Sequence, residues 1–410
     1  MISCIFSTWD DPLVREYTAV ISKPDIKPVD AEPDWKNIRA RFPVLGKKTY
    51  LNSCAYGALA TDVTEALHRY IRDRQDKGTD WDYWVERNDS VRNAVARFLK
   101  ANPDEIAVTT SASAGINAIA SSLRFERPRN KVVISGLEFP TNAQIWYAQE
   151  LRGAEVVQVP PVDGYVPVER FEDAIDEDTL IVAITHVCFR NGAKLDVPAI
   201  AEIARRNGAM VLVDGYQGLG TMDFDVRSAG TDFVVGGMLK YLLGTAGIGF
   251  LYVRESLIRK LVPTVTGWFA QEDIFAMDTS GYRPSATARR FEMGTPPVPN
   301  CYAAEAGLRI LEDVGLRSIE YRIGELTAAI IAEAKRAGYT LTVPEPPERH
   351  GALITLQSRD EHALVSALDN EGIVTSCRFG NLRISPHFYN NAADIDTLFR
   401  ALHKYRHLLV

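Results

Sequence analysis

VLVDGYQGLG…TDFVVGGMLKYLLGTAGIGFLYVR, from Val211 to Arg254, is the stretch on which the reading of this chain turns. An apolar run, Met210 to Val213, ends on a single acid, Asp214, and Gln217 follows three residues later. A second run, Asp232 to Gly236, leads to Leu239 and Lys240. After a glycine-rich turn, a third strand, Ile248 to Val253, closes the unit. Short β-rich apolar runs bounded by turn residues predict buried strands. An acid at the carboxyl end of one strand and a lysine just past another put opposite charges into one crevice, where open α/β sheets bind ligands. A lysine in apolar surroundings loses charge stabilisation, and its amine becomes a better nucleophile. On spacing alone, a solvated acid and a surface lysine explain the pair equally well.

Outward from this stretch, strand and helix patterns alternate. EIAVTT, KVVISG, AEVVQV, LIVAITHV and MVLVDG read as strands, with helices over 114–123, 141–152, 168–174 and 197–207 between them. Apolar strands separated by amphipathic helices predict an α/β fold with a largely parallel sheet covered on both faces. Upstream, helical spacing covers 61–76 and 84–100, with Trp81, Tyr83 and Trp84 between them to line a pocket, a dimer seam or the core. Residues 1–34 carry mixed charge without periodicity and read as an irregular arm. Downstream lie helices near 255–262 and 301–314, with a long loop over 265–290. Helix 317–337, short strands at Tyr339–Val343, Ala352–Gln357, IVTSCR and LRISP, and helices 360–371 and 391–407 then suggest a small α+β domain. The division expected is an arm and opening segment over 1–64, a large domain over 65–300 and a small domain over 301–410.

With 410 residues, the chain is long enough for a large domain and a smaller one. A net charge of −7 argues against a nucleic-acid or anionic-membrane partner. The five cysteines show no CxxC or metal spacing, so reduced thiols and a cytoplasmic location are expected, with no metal site. The first residues, MISCIFSTWDDP, lack the basic start and apolar core of a signal peptide, and no apolar run is long enough to span a membrane. GTAGIG precedes a strand rather than following one, so it is no dinucleotide fingerprint. His403 and His407, one helical turn apart without a third ligand, read as a solvated face.

Pyridoxal 5'-phosphate needs the pair seen here, a lysine for its Schiff base and a carboxylate for its pyridine nitrogen. DGYQ and MLKYLLGTAGIGFLYVR resemble motifs of the class V aminotransferase group, pyridoxal-phosphate enzymes that include cysteine desulfurases, kynureninases and isopenicillin-N-epimerase-like proteins. The resemblance runs from about Trp35 to the C-terminus. It implies fold type I: a mostly parallel seven-stranded sheet between helices, a small α+β C-terminal domain, and a homodimer with shared active sites. It also implies roles. Lys240 is the Schiff-base residue and proton shuttle, Asp214 holds the pyridine nitrogen, and Gln217 bonds the phenolic oxygen. Ser113 of TTSASAGINAIA matches the phosphate-binding Thr, with the Ala112 and Ala114 amides beside it. Phe139 of LEFPTN takes the place of the ring over the pyridine, a histidine in desulfurases. Thr295 of RRFEMGTPP matches a residue that reaches the neighbouring subunit's phosphate, and Arg383 of NLRISPHFYN matches the arginine that grips the substrate α-carboxylate. Asn52 and Tyr56 either face substrate or close a packed turn.

The sequence departs from the resemblance in several places. Gly237, Met238 and Leu239 stand where relatives have a Ser, His or Tyr that helps hold phosphate. Phosphate binding must therefore lean on Ser113, on Tyr241 or on the partner subunit. Tyr216 is bulkier than the alanine common at its place, and HVCFRNG has Cys188 and Phe189 with Arg190 and Asn191 displaced. Phe139 carries no proton and Cys377 sits on a short loop, which disfavours a persulfide-forming desulfurase. The expected function is lyase-type cleavage, Cβ–S or Cβ–Cγ, of an amino acid. Epimerisation or transamination is the alternative, and a catalytically silent binding protein the further one.

Overall fold

The computed structural model describes residues 33–410; the arm read over 1–34 falls almost wholly outside them. Seven strands make the main sheet: β1 (Ile106–Thr109), β2 (Lys131–Ser135), β3 (Glu155–Val159), β4 (Thr179–Thr185), β5 (Met210–Asp214), β6 (Phe233–Gly237) and β7 (Gly249–Val253). Their order is β1-β7-β6-β5-β4-β2-β3, and only β7 runs antiparallel to its neighbours.

Continuous apolar strands are what a sheet buried on both faces requires. Val182, Ile184, Val211, Val213 and Val234 go to one core; Ile181, Ala183, Leu212, Phe233, Val235 and Leu251 go to the other. This strict alternation follows from the period of two along a strand. One face is covered in part by α1 (Thr61–Lys77), α2 (Trp81–Leu99) and, after the last strand, a helix over Val298–Val314 that packs on both. The other is covered by α3 (Ala112–Ser122) and α4 (Pro140–Ala148).

Trp81, Tyr83 and Trp84 lie within the first turn of α2 rather than between two helices. Asp80 caps that helix by accepting from the Tyr83 amide, so it starts earlier than apolar spacing indicated. The 265–290 loop contains short 3-10 turns at Trp268–Ala270 and Ala288–Phe291, and Trp81 packs edge-on to Trp268 at 5.5 Å. The helix expected near 255–262 is one turn, Glu255–Ile258.

The C-terminal layer has its own core around Leu326, Ile330, Leu356, Leu364, Leu382 and Leu398. Its sheet joins β8 (Ile354–Gln357), β9 (Ser376–Arg378) and β10 (Asn381–Ile384), all antiparallel. The strand expected at Tyr339–Val343 is only a bridge from Leu341 to Leu356. The segment Thr49–Gly57 ties the two layers together. Thr49 and Tyr50 pair with Ile373 and Val374, Cys54 N–H donates to Ser385 Oγ at 2.9 Å, and Gly57 N–H donates to Leu239 O at 2.9 Å.

Candidate active site

The carboxyl ends of the parallel strands converge on Lys240. β5 ends on Asp214, β6 leads through a turn to Lys240, β1 runs into the start of α3, and β2 leads to Phe139 at the N-cap of α4. From the small layer, β10 brings Arg383. The Lys240 amine lies 5.7 Å from the centroid of the Phe139 ring and 4.5 Å from that of Tyr216. Burial among these groups pushes the ammonium down to about 8; Cys54 and Asp214 offset part of that shift and the Arg383 cation adds to it.

This depression sets two pH trends. The free amine forms as pH rises through about 8, so capture of an aldehyde by the cofactor-free protein is expected to quicken there and then level off, as stopped-flow absorbance would show. Between about 8 and the ordinary 10.5 the unfolded chain holds a proton that the folded chain lacks, so this lysine makes stability rise with pH in that window.

Asp214 is 5% exposed, accepts from the Tyr216 amide at 2.9 Å, and is held above the usual carboxylate range by burial, which Lys240 partly reverses. A buried carboxylate without a full complement of donors favours a cationic ligand, and a protonated pyridine nitrogen is one. Gln217 Nε2 donates to Cys54 O at 3.0 Å, while its buried Oε1 has no partner. At α3, Ser111 caps the helix and takes the Ala114 amide at 3.1 Å. The amides without an intrahelical carbonyl nearest the site are therefore those of Ala112 and Ser113, rather than the Ala114 amide expected from sequence. Ser113 Oγ donates to Thr141 Oγ1 at 3.3 Å.

Arg383 is the most telling charge. It is 4% exposed, and among the described residues it has no carboxylate partner. Its Nη1 donates to Ser376 Oγ at 3.3 Å and its buried Nε has no partner. A guanidinium taken out of water without a counter-charge is costly unless a ligand supplies one.

The remaining expected residues divide. Asn52 forms a backbone bridge with Ser385, and the hydroxyl of the exposed Tyr56 accepts the Ala246 amide at 3.0 Å. Phe139 is 42% exposed with its ring edge-on to Phe189 at 5.0 Å. Thr295 is exposed on a small cavity with Thr109 and Thr110. The ring of Tyr241 is wholly buried against His387, at 5.4 Å.

Three features were not read from the sequence. Cys54 is the buried thiol that lies beside Lys240; Cys377 instead contacts His362 at 3.5 Å, on the strand face opposite Ser376 and Arg383. Glu138 lies buried under the site, bonded by Ser135, Asn142 and the Thr185 amide, and burial lifts it to about 7. Gly57 approaches the lysine loop so closely that a Cβ would overlap Lys240 O. That contact is backbone, which cannot rotate away, so Gly57→Ala is expected to cost about 1–3 kcal/mol and lower the thermal midpoint.

These residues fit pyridoxal 5'-phosphate: an amine for its aldehyde, a buried acid for its ring nitrogen and open helix amides for its phosphate. Comparison with known proteins agrees. The model of the family described as aminotransferase class-V matches residues 50–398. An uncharacterized aminotransferase, YcbU, of Bacillus subtilis (strain 168) is 34% identical over 359 residues, covering 87% of this chain and 94% of that protein. A kynureninase of Pseudomonas fluorescens is 26% identical, covering 86% of this chain and 88% of that one. The fold matches the apo structure of a cysteine desulfurase from Thermococcus onnurineus NA1 with a TM-score of 0.83 at 23% identity, over 92% of this chain and 99% of that chain. The chain therefore belongs to the class V aminotransferase family, pyridoxal-phosphate enzymes of fold type I.

Proposed function

We propose that this protein binds an amino acid by its α-carboxylate and cleaves it at Cβ, with Lys240 moving the proton at Cα. The observation that carries the reading is Arg383, a buried guanidinium without a counter-charge among the described residues, in the same pocket as a lysine of lowered proton affinity. When bound, pyridoxal phosphate supplies an electron sink for the pair left at Cα. The chain's own residues do the rest. Arg383 orients the carboxylate, Asp214 keeps the ring nitrogen protonated, and Lys240, free of charge above about pH 8, takes and returns the Cα proton. Phe139 provides a flat apolar wall and no proton, which leaves acid–base work to Lys240.

Two observations support cleavage other than persulfide-forming desulfuration: Phe139 in place of a titratable ring, and Cys377 facing His362 rather than Arg383. Transamination is the second reading, favoured by the 34% identity to YcbU, whose name is that of an aminotransferase. Soluble homodimers with shared sites fit the exposed position of Thr295, and among the described residues no helix is long and apolar enough to cross a membrane.

The test is an absorbance scan of the purified protein titrated with an amino-acid panel that includes L-kynurenine and cysteine derivatives. A spectral shift with one compound, followed by release of anthranilate, pyruvate or sulfide, is the expected result. Conversion to the keto acid without cleavage would replace the lyase reading with transamination.

A further inference from the structure

We propose that the Tyr216 hydroxyl is a ligand of the anionic group held at the start of α3, standing in for the side chain that position 237 lacks. The inference rests on the cofactor reading above, with the phosphate as the anion. Gly237 and Gly249 are directly opposed in the antiparallel pair of β6 and β7. Side chains at such positions rise on the same face, about 5 Å apart. That face carries Phe233, Val235, Leu251 and Val253, and it packs against Ala112 and Tyr216.

Both glycines leave room for something else. At Gly249 a Cβ would meet the Ser111 carbonyl carbon at 3.0 Å and the Ala112 nitrogen at 3.2 Å, so the first backbone of α3 comes down onto the sheet there. At Gly237 a Cβ would overlap the Tyr216 phenol, its Oη first. The tip of Tyr216 therefore occupies the side-chain space of residue 237, one strand away from the amino end of α3. Glycine at 237 and tyrosine at 216 are two halves of one arrangement, because either larger residue excludes the other.

The chemistry at that point suits a dianion. The Ala112 and Ser113 amides have no carbonyl within the helix to reach, and the helix dipole favours negative charge there. Ser113 offers a hydroxyl. Tyr216 Oη makes no hydrogen bond with any described residue, and burial raises the phenol, so it stays a protonated donor. Its position is fixed at the backbone, since the Tyr216 amide is bonded to Asp214 Oδ1. The Lys240 amine lies 4.5 Å from the ring centroid, so a ligand joined to that amine and anchored at α3 lies within reach of the hydroxyl.

The test strips the purified protein of cofactor and titrates it with pyridoxal 5'-phosphate and, separately, with pyridoxal, which lacks the phosphate. Tyr216→Phe keeps the ring and removes only Oη. It is expected to weaken the phosphorylated ligand about 10- to 100-fold, as loss of a hydrogen bond to a charged group does, while leaving pyridoxal unchanged. Tyr216→Ala combined with Gly237→Ser is expected to bind the phosphorylated ligand more tightly than Tyr216→Ala alone. Wild-type affinity in Tyr216→Phe overturns the proposal, as does equal weakening toward both ligands, which would mark a packing role. A wild-type protein that binds neither ligand overturns the cofactor reading itself, and the proposal with it.

Discussion

Lys240→Ala is expected to abolish turnover, lowering it at least ~10³-fold, while pyridoxal 5'-phosphate still binds weakly. Two losses combine. The amine that joins the cofactor's aldehyde is gone, and so is the group that moves the proton at Cα. Phe139 cannot replace it, having no titratable atom, and in the proposed arrangement Asp214 is taken up by the ring nitrogen. Weak binding should persist because the helix amides at Ala112 and Ser113 and the Asp214 carboxylate are untouched. Steady-state assays with the substrate found in the amino-acid panel, together with the visible band of the bound cofactor, check both halves. A variant that retains turnover would remove Lys240 from the chemistry.

Arg383→Ala should act differently, on substrate capture and on stability in opposite directions. Loss of a two-pronged contact to a carboxylate is expected to raise KM about 30- to 100-fold, and Arg383→Lys should recover only part of it, since an ammonium cannot present a fork. The ligand-free protein should not be destabilised in proportion to the burial of the side chain. With no carboxylate partner among the described residues and its Nε unbonded, the guanidinium costs desolvation that the one long bond from Nη1 to Ser376 repays only in part. A thermal midpoint equal to or above that of the wild type, alongside the raised KM, is the expected signature. Unchanged kinetics would sink its role as a carboxylate ligand, and a collapsed midpoint would mean that an internal partner holds it.

The comparison with Gly57→Ala is instructive. Gly57 contributes no chemistry, yet a methyl group there meets the carbonyl of Lys240. Its effect should fall on stability first and on rate through the displaced lysine loop.

Local sequence determined a good deal of this protein. The apolar runs ending on Asp214 and leading to Lys240 are β5 and β6, and the alternating pattern before them is the parallel sheet. Periodicity is a local property, so one strand's two faces can be read from its own residues. Tertiary structure decided the rest. The pairing of the Thr49–Gly57 segment with Ile373, Val374 and Ser385 carries Arg383 to Lys240 across more than a hundred residues of sequence, and no local spacing encodes it. Likewise, strand parity turns Cys377 toward His362, while Cys54 becomes the thiol beside the lysine. Gly237 and Tyr216 look unrelated in sequence, one a missing ligand and the other an oversized residue. Only the pairing of β5 with β6, which sets Asp214 beside Val235, brings them into one space, because side-chain contact across a sheet depends on which residues are opposed, and opposition is fixed by the fold as a whole.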